Sequence, residues 1–255
     1  MKTIFDITLA EKYHSMPQKI KAMSESWVDN EIYCPNCGTN VNHYENNRPV
    51  ADFFCSKCKE EYELKSKKDS IGNKIVDGAY RTMIERLQSS NNPNFFLLNY
   101  DLKSFEVKNF FVIPKHFFIP GIIEKRKPLS ENARRAGWVG CNISLQSIPQ
   151  TGKIFYIQKG KIEPKDKILE EWQKTLFLRE TKEAKEKGWI LDIMNCIDKL
   201  RKTEFSLDEI YSFEKILYQK HPSNMHIKDK IRQQLQFLRD KGYLQFMERG
   251  KYKLN

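Results

Sequence analysis

The sequence lacks any long uninterrupted apolar run, and its first residues, MKTIFDITLAEK, lack the apolar stretch of a signal peptide. It also contains no internal repeat and no low-complexity segment. The lack of a long apolar run and of a signal peptide argues against a membrane-spanning segment and a secretory route. We therefore expect a globular cytoplasmic protein that does not associate with a membrane.

Acidic residues are fewer than basic ones, 33 against 44, which gives a formal net charge of +11 and a pI near 9.2. An anionic partner is therefore expected. Nucleic acid is favoured over a membrane surface because no basic amphipathic anchor is present. A chain of 255 residues can form one large domain or two.

Cysteine is also scarce, and four of the six cysteines form two C-x-x-C pairs separated by 17 residues. This spacing is typical of a structural zinc site with four thiolate ligands, here Cys34, Cys37, Cys55 and Cys58. His43 lies between the pairs, but four thiolates already complete a tetrahedral site, so we interpret it as a loop residue. Cys141 and Cys196 are expected to be buried thiols, and no disulfide framework is predicted.

A second pattern, Asp52 followed by Glu63-x-Lys65, is interleaved with the cysteines. Residues 48–54 and 61–66 read as two strands, with the second cysteine pair in the turn between them. Because side chains alternate along a strand, Glu63 and Lys65 should project together while Leu64 faces the other way. Two carboxylates, water, a substrate phosphate and the Leu64 carbonyl could hold Mg²⁺, and Lys65 could orient the attacking water. The pattern predicts phosphodiester hydrolysis. The alternative is that these residues form surface salt bridges on a hairpin. The zinc site disfavours this alternative, because it would hold the two strands rigidly beside each other, as metal-dependent chemistry requires.

The pattern Pro49-x-x-Asp52…Glu63-x-Lys65 resembles the signature of PD-(D/E)xK nucleases. It departs from the most regular form, in which proline and aspartate are adjacent. The flanking sequence resembles that of the methyl-directed type II restriction endonucleases of this class, and the resemblance extends over nearly the whole length of the chain. The segments that carry the resemblance are residues 33–38, 46–52, 63–68, 91–96, 133–138 and 231–236.

This resemblance implies a bacterial enzyme, expected to act as a monomer, that cuts double-stranded DNA at GATC containing N6-methyladenine. It also implies an α/β nuclease core, in which helices flank a central mixed sheet and the zinc knuckle is inserted, followed by a winged helix-turn-helix domain. We assign residues 1–182 to the catalytic domain and residues 183–255 to the winged helix. The charged segment 179–188 has no apolar face and is interpreted as the linker.

The spacing and type of the apolar residues predict the helices and strands of the catalytic domain. Helices are predicted within residues 8–28, interrupted or begun at Pro17, and over 74–88 and 163–178. Aromatic and β-branched residues predict strands over 95–100, 105–113 and 153–158, which join the two catalytic strands in one sheet. The phenylalanines of these strands are assigned to the core.

Two basic segments of this domain are candidate DNA contacts. Lys67 and Lys68 follow the proposed catalytic strand, and residues 124–142 combine arginines and glycines with Trp138 and lack clear periodicity. Guanidinium groups contact phosphates or guanine edges, and an indole offers an apolar surface for the adenine methyl group. A core tryptophan is the alternative for Trp138. The candidate contacts here are Lys67, Lys68, Arg134, Arg135 and Trp138.

The C-terminal region has three helical patterns and a hairpin, as in a winged helix. A helix is predicted over 189–200, a capping box at Ser206 and Glu209 opens the second, and the third covers 225–241. The third helix should enter the major groove and the hairpin should rest on phosphates. A solvated face or a protein-binding module is the alternative. The candidate contacts here are Lys228, Arg232, Gln233, Gln234, Arg249 and Lys251.

Two competing functions share these features. One is a non-catalytic transcriptional regulator with a zinc ribbon and a winged helix, in which Asp52, Glu63 and Lys65 are structural. The other is a repair-type or structure-specific nuclease with no sequence preference. Metal-dependent loss of duplex integrity distinguishes the regulator from both nucleases.

Overall fold

The computed structural model describes residues 1–45, 51–89, 92–181 and 183–255. The chain divides into two compact units. The first comprises Met1–Gln146 and Thr151–Thr175, and the second comprises Ser147–Gln150 and Leu176–Asn255. Within the described ranges, no helix combines the length and apolar content needed to cross a bilayer.

A mixed sheet forms the centre of the first unit, in agreement with the predicted fold class. Two of its strands, Glu61–Lys68 (β3) and Asn94–Tyr100 (β5), are parallel, and the other neighbours are antiparallel. The order across the sheet is β1-β2-β3-β5-β6-β9-β10. In that order the strands are Asn42–His43, Phe53–Phe54, Glu61–Lys68, Asn94–Tyr100, Val107–Ile113, Ile154–Gln158 and Lys161–Ile162.

The core of this sheet is aromatic. Phe96 and Phe110 are fully buried on adjacent strands, with ring centroids 5.1 Å apart. The predicted assignment of these phenylalanines to the core is confirmed. Burial of one such ring contributes roughly 1.5–3 kcal/mol, so β5 and β6 form a rigid base for the neighbouring β3.

The predicted helix over residues 74–88 is wrong in its first half. Lys74–Ala79 is a strand, β4, and only Tyr80–Gln88 is helical, α2. β4 belongs to a second sheet in the order β4-β8-β7, whose other strands are Gly140–Ser144 and Ile123–Lys125. Pairing with β8 satisfies the backbone of Ile75 and Val76, and this tertiary partner outweighs a helical spacing of apolar residues.

Two further helices pack on the central sheet. α1, Met16–Glu31, begins at the proline break, with Pro17 in its first turn, where a missing N–H is tolerated. A short 3-10 helix, Ile7–Lys12, precedes it. α3, Lys165–Gln173, is shorter than the predicted segment 163–178, which continues as a 3-10 helix at Leu176–Arg179.

The second unit is a winged helix. Its helices are α4, Ala184–Leu200; α5, Leu207–Tyr211; α6, Glu214–Lys220; and α7, Ile227–Asp240. Its sheet has the order β11-β13-β12, from Glu204–Ser206, Lys251–Leu254 and Leu244–Glu248. The predicted capping box is present, since the Ser206 and Glu209 side chains bond reciprocally to backbone N–H groups. α4 begins at residue 184, so the second half of the segment 179–188, interpreted from the sequence as the linker, is helical.

Candidate active site and DNA-contacting surfaces

The four paired cysteines come together in one cluster. Their sulfur atoms all lie within 4.8 Å of one another, and both C-x-x-C segments bend in the same way. The amide of Gly38 donates to the carbonyl of Cys34, and the amide of Lys59 donates to that of Cys55. Gly38 and Lys59 both have positive φ, 74° and 62°. Four thiols at this separation fit a tetrahedral zinc ion with Zn–S distances of about 2.3 Å.

The cluster is built into the first unit. The phenol of Tyr62 lies 3.1 Å from the Cys34 sulfur, and the indole N–H of Trp172 donates to the side-chain oxygen of Asn36 at 3.1 Å. Lys165 also donates from α3 to the Gly38 carbonyl at 2.8 Å. The cluster therefore ties β3 and α3 to the chain around the cysteines.

Asp52 is joined to the strand that carries Glu63 and Lys65. Its Oδ2 accepts a hydrogen bond of 2.7 Å from the Leu64 amide, and its own amide donates to the Tyr62 carbonyl at 2.9 Å. Asp52 lies just before β2, because that strand contains only Phe53–Phe54 among the described residues. The first half of the strand predicted over 48–54, including Pro49, lies outside the described residues.

Glu63 and Lys65 project together from β3, as the alternation predicts. The Lys65 ammonium lies 2.5 Å from Glu63 Oε1, and Leu64 between them is half-buried. Burial alone would lower the pKa of Lys65, but the carboxylates of Glu63 and Asp77 together raise it above its ordinary value of 10.5. Lys65 therefore stays charged at neutral pH.

Two further residues complete an alternating chain of charges around this pair. Asp77 of β4 lies 2.6 Å from the Lys65 ammonium, and Arg86 of α2 lies 3.0 Å from Glu63 Oε2. All four side chains are largely shielded from solvent, with exposed fractions of 6–23%. Charge pairs in such a setting are screened less by salt than surface pairs.

An open cleft of about 740 Å³ is lined by the three predicted catalytic residues together with Glu25 of α1. Burial is the main cause that raises the pKa of Glu25, and the nearby Asp52 carboxylate adds to it, whereas Lys21 opposes it. His43, which lies in β1 and not in a loop, has its Nε2 3.8 Å from Glu25. The cleft thus holds three carboxylates, from Glu25, Asp52 and Glu63, and these oxygen donors fit Mg²⁺.

Lys67 and Lys68 lie at the exposed end of β3 and line the same cleft. The Lys67 ammonium donates to the Ile71 carbonyl at 3.0 Å. Met16, Ile20 and Tyr100 are apolar parts of the wall near these lysines. The structure therefore brings both predicted lysines to the cleft that holds the carboxylates.

The loop between β7 and β8 is ordered by its own hydrogen bonds. The Leu129 amide donates to the Trp138 carbonyl at 2.9 Å, and the Gly137 amide donates to the Leu129 carbonyl at 3.1 Å. Trp138 is half-buried, and the Arg135 guanidinium lies over its ring, 4.5 Å from the centroid. Arg134 and Arg135 are exposed. The core interpretation of Trp138 is therefore not supported, because the indole is only partly covered.

On α7, the structure separates the predicted contacts into two faces. Lys228, Arg232 and Gln233 are exposed, and the Arg232 guanidinium donates to the Tyr211 hydroxyl at 2.7 Å. Gln234 is only 5% exposed, so its predicted outward orientation is wrong. It follows Ile231 by three residues, which puts it on the buried face of the helix.

Arg249 and Lys251 are exposed at the β12–β13 hairpin, where Gly250 takes a positive φ of 74°. Lys251 pairs with Glu248. The hairpin and its tip agree with the prediction from sequence.

Glu25, Asp77 and Arg86 were not identified from the sequence. No spacing rule connects them to the Asp…Glu-x-Lys pattern, because each comes from a different element. The raised pKa of Glu25 identifies it only once α1 lies against the cleft.

Two family models match this chain. One, described as DpnI: Dam-replacing family, matches residues 1–181, and the other, described as DpnI_C: Dam-replacing HTH domain, matches residues 185–254. The first covers more than half of the chain.

Proposed function

The chain belongs to the DpnI (Dam-replacing) family, and we propose that it cuts double-stranded DNA in a Mg²⁺-dependent reaction at GATC sites containing N6-methyladenine. Membership of the family supports a methyl-directed restriction endonuclease. The observation that carries the proposal further is the convergence of Asp52, Glu63 and Lys65 in one cleft.

We assign the metal site to Asp52, Glu63 and the main-chain carbonyl of Leu64. When bound there, Mg²⁺ would polarise the scissile phosphate and lower the pKa of the attacking water. The Leu64 amide fixes Asp52 against β3 at 2.7 Å, so the two carboxylates keep their relative position before substrate arrives.

Lys65 orients the attacking water and offsets the negative charge that develops on the phosphate. Its ammonium has three N–H donors, and two of them are directed to Glu63 and Asp77. The remaining donor is available for the water. In this role Lys65 acts as a cation and hydrogen-bond donor.

Two surfaces would read the DNA. In the first unit, Lys67 and Lys68 contact phosphates beside the cleft, and Arg134, Arg135 and Trp138 contact the target site. In the second unit, α7 enters the major groove and the β12–β13 hairpin lies on phosphates. The residues assigned to the latter contacts are Lys228, Arg232, Gln233, Arg249 and Lys251.

Burial of one methyl group is worth roughly 1 kcal/mol, and up to about 3 kcal/mol in a closely fitting pocket. Trp138 alone therefore supplies discrimination of roughly 5-fold to 150-fold. Reading of the methyl group by each of the two units in turn would multiply these factors. The match of an HTH domain model to residues 185–254, separate from the model that matches residues 1–181, supports such a sequence of readings.

Zn²⁺ at the four cysteines has a structural role in this proposal, because four protein thiolates leave no open coordination position. We further propose a cytoplasmic bacterial enzyme that acts as a monomer.

The test uses one plasmid prepared with and without adenine methylation at GATC, incubated with Mg²⁺ and either the wild-type protein or Lys65→Ala. Fragmentation of only the methylated plasmid, absent with the variant, is the expected result. Lys74→Ala, which removes a surface lysine paired with Glu124, is the matched control and should cut normally.

Each other outcome supports a different function. Cutting of both plasmids would contradict methyl direction and favour a nuclease without that preference. Cutting of neither, with a normal gel shift, would favour the non-catalytic regulator.

A further inference from the structure

Asp77 supplies a buried carboxylate to Lys65 from outside the cleft. Its side chain is 6% exposed, and its Oδ1 lies 2.6 Å from the Lys65 ammonium. Asp77 is not among the residues that line the cleft, in contrast to Glu63. Asp77 therefore contacts the proposed catalytic lysine but does not line the cleft in which the substrate would bind.

A local irregularity of β4 accompanies this position. Asp77 is opposite Cys141 on β8, whereas Ala79 is opposite Gly140, so Gly78 is an extra residue in the strand. Such a bulge changes the direction of the neighbouring side chains and is common beside active sites. The Cys141 thiol lies 3.5 Å from the Gly78 carbonyl, and burial raises the pKa of this thiol to about 11, so it stays neutral beside Asp77.

The two carboxylates that hold Lys65 differ in their other partners. Glu63 also accepts from Arg86, and in the proposed reaction it binds the metal ion as well. Asp77 is outside the proposed metal site. Of the two bonds to Lys65, the one to Asp77 is therefore the one that metal binding leaves intact.

The ammonium of a lysine moves by rotation about four carbon–carbon bonds, so a single hydrogen bond leaves its position poorly restricted. Two anchors restrict the direction of the third N–H. A buried, unpaired carboxylate would be costly, which makes Lys65 equally necessary for Asp77.

We propose that Asp77 is a positioning residue for Lys65, which holds the ammonium from outside the cleft so that one N–H remains directed toward the attacking water. The proposal rests on the nuclease function proposed above. It adds a carboxylate from a second sheet to the three residues of the Asp…Glu-x-Lys pattern.

Asp77→Asn keeps the shape of the side chain and removes its charge. The expected result is a fall in kcat of roughly 10- to 100-fold, the range typical of residues that orient an active-site group. The KM for methylated duplex and the Mg²⁺ concentration at half-maximal rate should stay unchanged, because Asp77 contacts neither ligand. A change confined to KM would overturn the proposal.

A double-mutant cycle separates positioning from a general structural role. Single-turnover cleavage is measured for Asp77→Asn, Lys65→Met and the double variant. If Asp77 acts through Lys65, the double variant is no slower than Lys65→Met alone. Losses that multiply would overturn the proposal. Glu85→Gln, which removes a carboxylate from the exposed ion pair with Arg81 on α2, is the matched control and should cut at the wild-type rate.

Failure of this inference is distinguishable from failure of the proposed function. If the wild-type protein cuts neither plasmid, the nuclease function itself is wrong. If the wild type cuts, Lys65→Met does not, and Asp77→Asn cuts at the wild-type rate, only the role of Asp77 is wrong.

A structural measurement covers the case in which Asp77→Asn does not fold. The wild-type protein would be crystallised with methylated duplex and Ca²⁺, which occupies such sites without supporting cleavage. A Lys65–Asp77 hydrogen bond retained in that complex is expected. Separation of the two groups beyond hydrogen-bonding distance would overturn the proposal.

Discussion

The phenolic oxygen of Tyr62 lies 3.1 Å from the sulfur of Cys34, and Tyr62 is the residue immediately before Glu63. Its ring is fully buried and stacks on Phe96 at a centroid distance of 4.3 Å. Its carbonyl accepts the Asp52 amide at 2.9 Å. One residue therefore connects the cysteine cluster to both carboxylates of the proposed metal site.

Tyr62→Phe should weaken this connection without disturbing the packing of the ring. Loss of one buried hydrogen bond costs about 1 kcal/mol, and it should lower the midpoint of thermal unfolding by a few degrees. We also expect faster loss of zinc to a chelator, since groups that hydrogen-bond to metal ligands stabilise the bound metal. Zinc release would be followed with a colorimetric dye.

Tyr44→Phe is the matched control, because the Tyr44 hydroxyl donates to the Glu61 carboxylate at 2.7 Å. Equal rates of zinc release from the two variants would contradict the proposed connection.

Glu25→Gln tests the third carboxylate of the cleft. If Glu25 assists metal binding, the variant should need several times more Mg²⁺ for half-maximal cleavage, with a normal gel shift on methylated DNA. Glu31→Gln, on the same helix but outside the cleft lining, is the matched control. An unchanged Mg²⁺ dependence would exclude Glu25 from the site.

The sequence predicts those parts of the site that depend on local spacing. Alternation along β3 puts Glu63 and Lys65 on one side, and the spacing of Cys34, Cys37, Cys55 and Cys58 predicts their cluster. Both patterns follow from backbone geometry within a short segment, so they can be derived without knowledge of tertiary contacts.

Residues from other elements could not be found in this way. Ile75 and Ala79 satisfy a helical spacing, yet the segment that contains them pairs with β8 in a sheet. This pairing brings Asp77 to Lys65. Glu25 is likewise one of several acids on α1 until the helix packs on β3. Both cases depend on long-range contacts for which a single sequence contains no direct signal.

Gly140→Ala should displace Trp138. A Cβ added at Gly140 would lie 2.8 Å from Cζ3 and Cη2 of the indole, so the ring or the strand must shift. We expect the ratio of cleavage rates on methylated and unmethylated plasmid to fall roughly fivefold or more, because the proposed methyl contact is worth roughly 1 kcal/mol or more. Gly121→Ala, which meets nothing closer than 3.7 Å, is the matched control. A ratio that stays at the wild-type value would show that Trp138 does not take part in methyl recognition.

The capping box of α5 gives a pH-dependent contribution to stability. The pKa of Glu209 is lowered from its ordinary value of 4.5, first by its bond to the Lys202 side chain and then by the Ser206 amide. Folding thus favours the ionised form, so this contribution is present above pH 4.5 and is lost as the pH falls through the lowered pKa.

Glu209→Gln should therefore lower the thermal midpoint slightly at pH 7, and the difference from wild type should disappear in acid. A glutamine can still complete the capping box, so the comparison isolates the charge. A difference that persists in acid would show that the variant disrupts the box itself.

Gln233 and Gln234 are adjacent on α7 but have opposite surroundings, the first exposed and the second 5% exposed. If α7 reads bases, Gln233→Ala should weaken binding to methylated duplex roughly 5- to 100-fold, the range for loss of a bidentate contact to adenine, and leave the thermal midpoint unchanged. Gln234→Ala should instead lower the thermal midpoint, because it removes a buried side chain, and should affect binding only through stability. Gel shifts without Mg²⁺ and thermal unfolding separate the two effects. Equal loss of binding in both variants, with equal stability, would contradict the assignment of the exposed face of α7 to DNA.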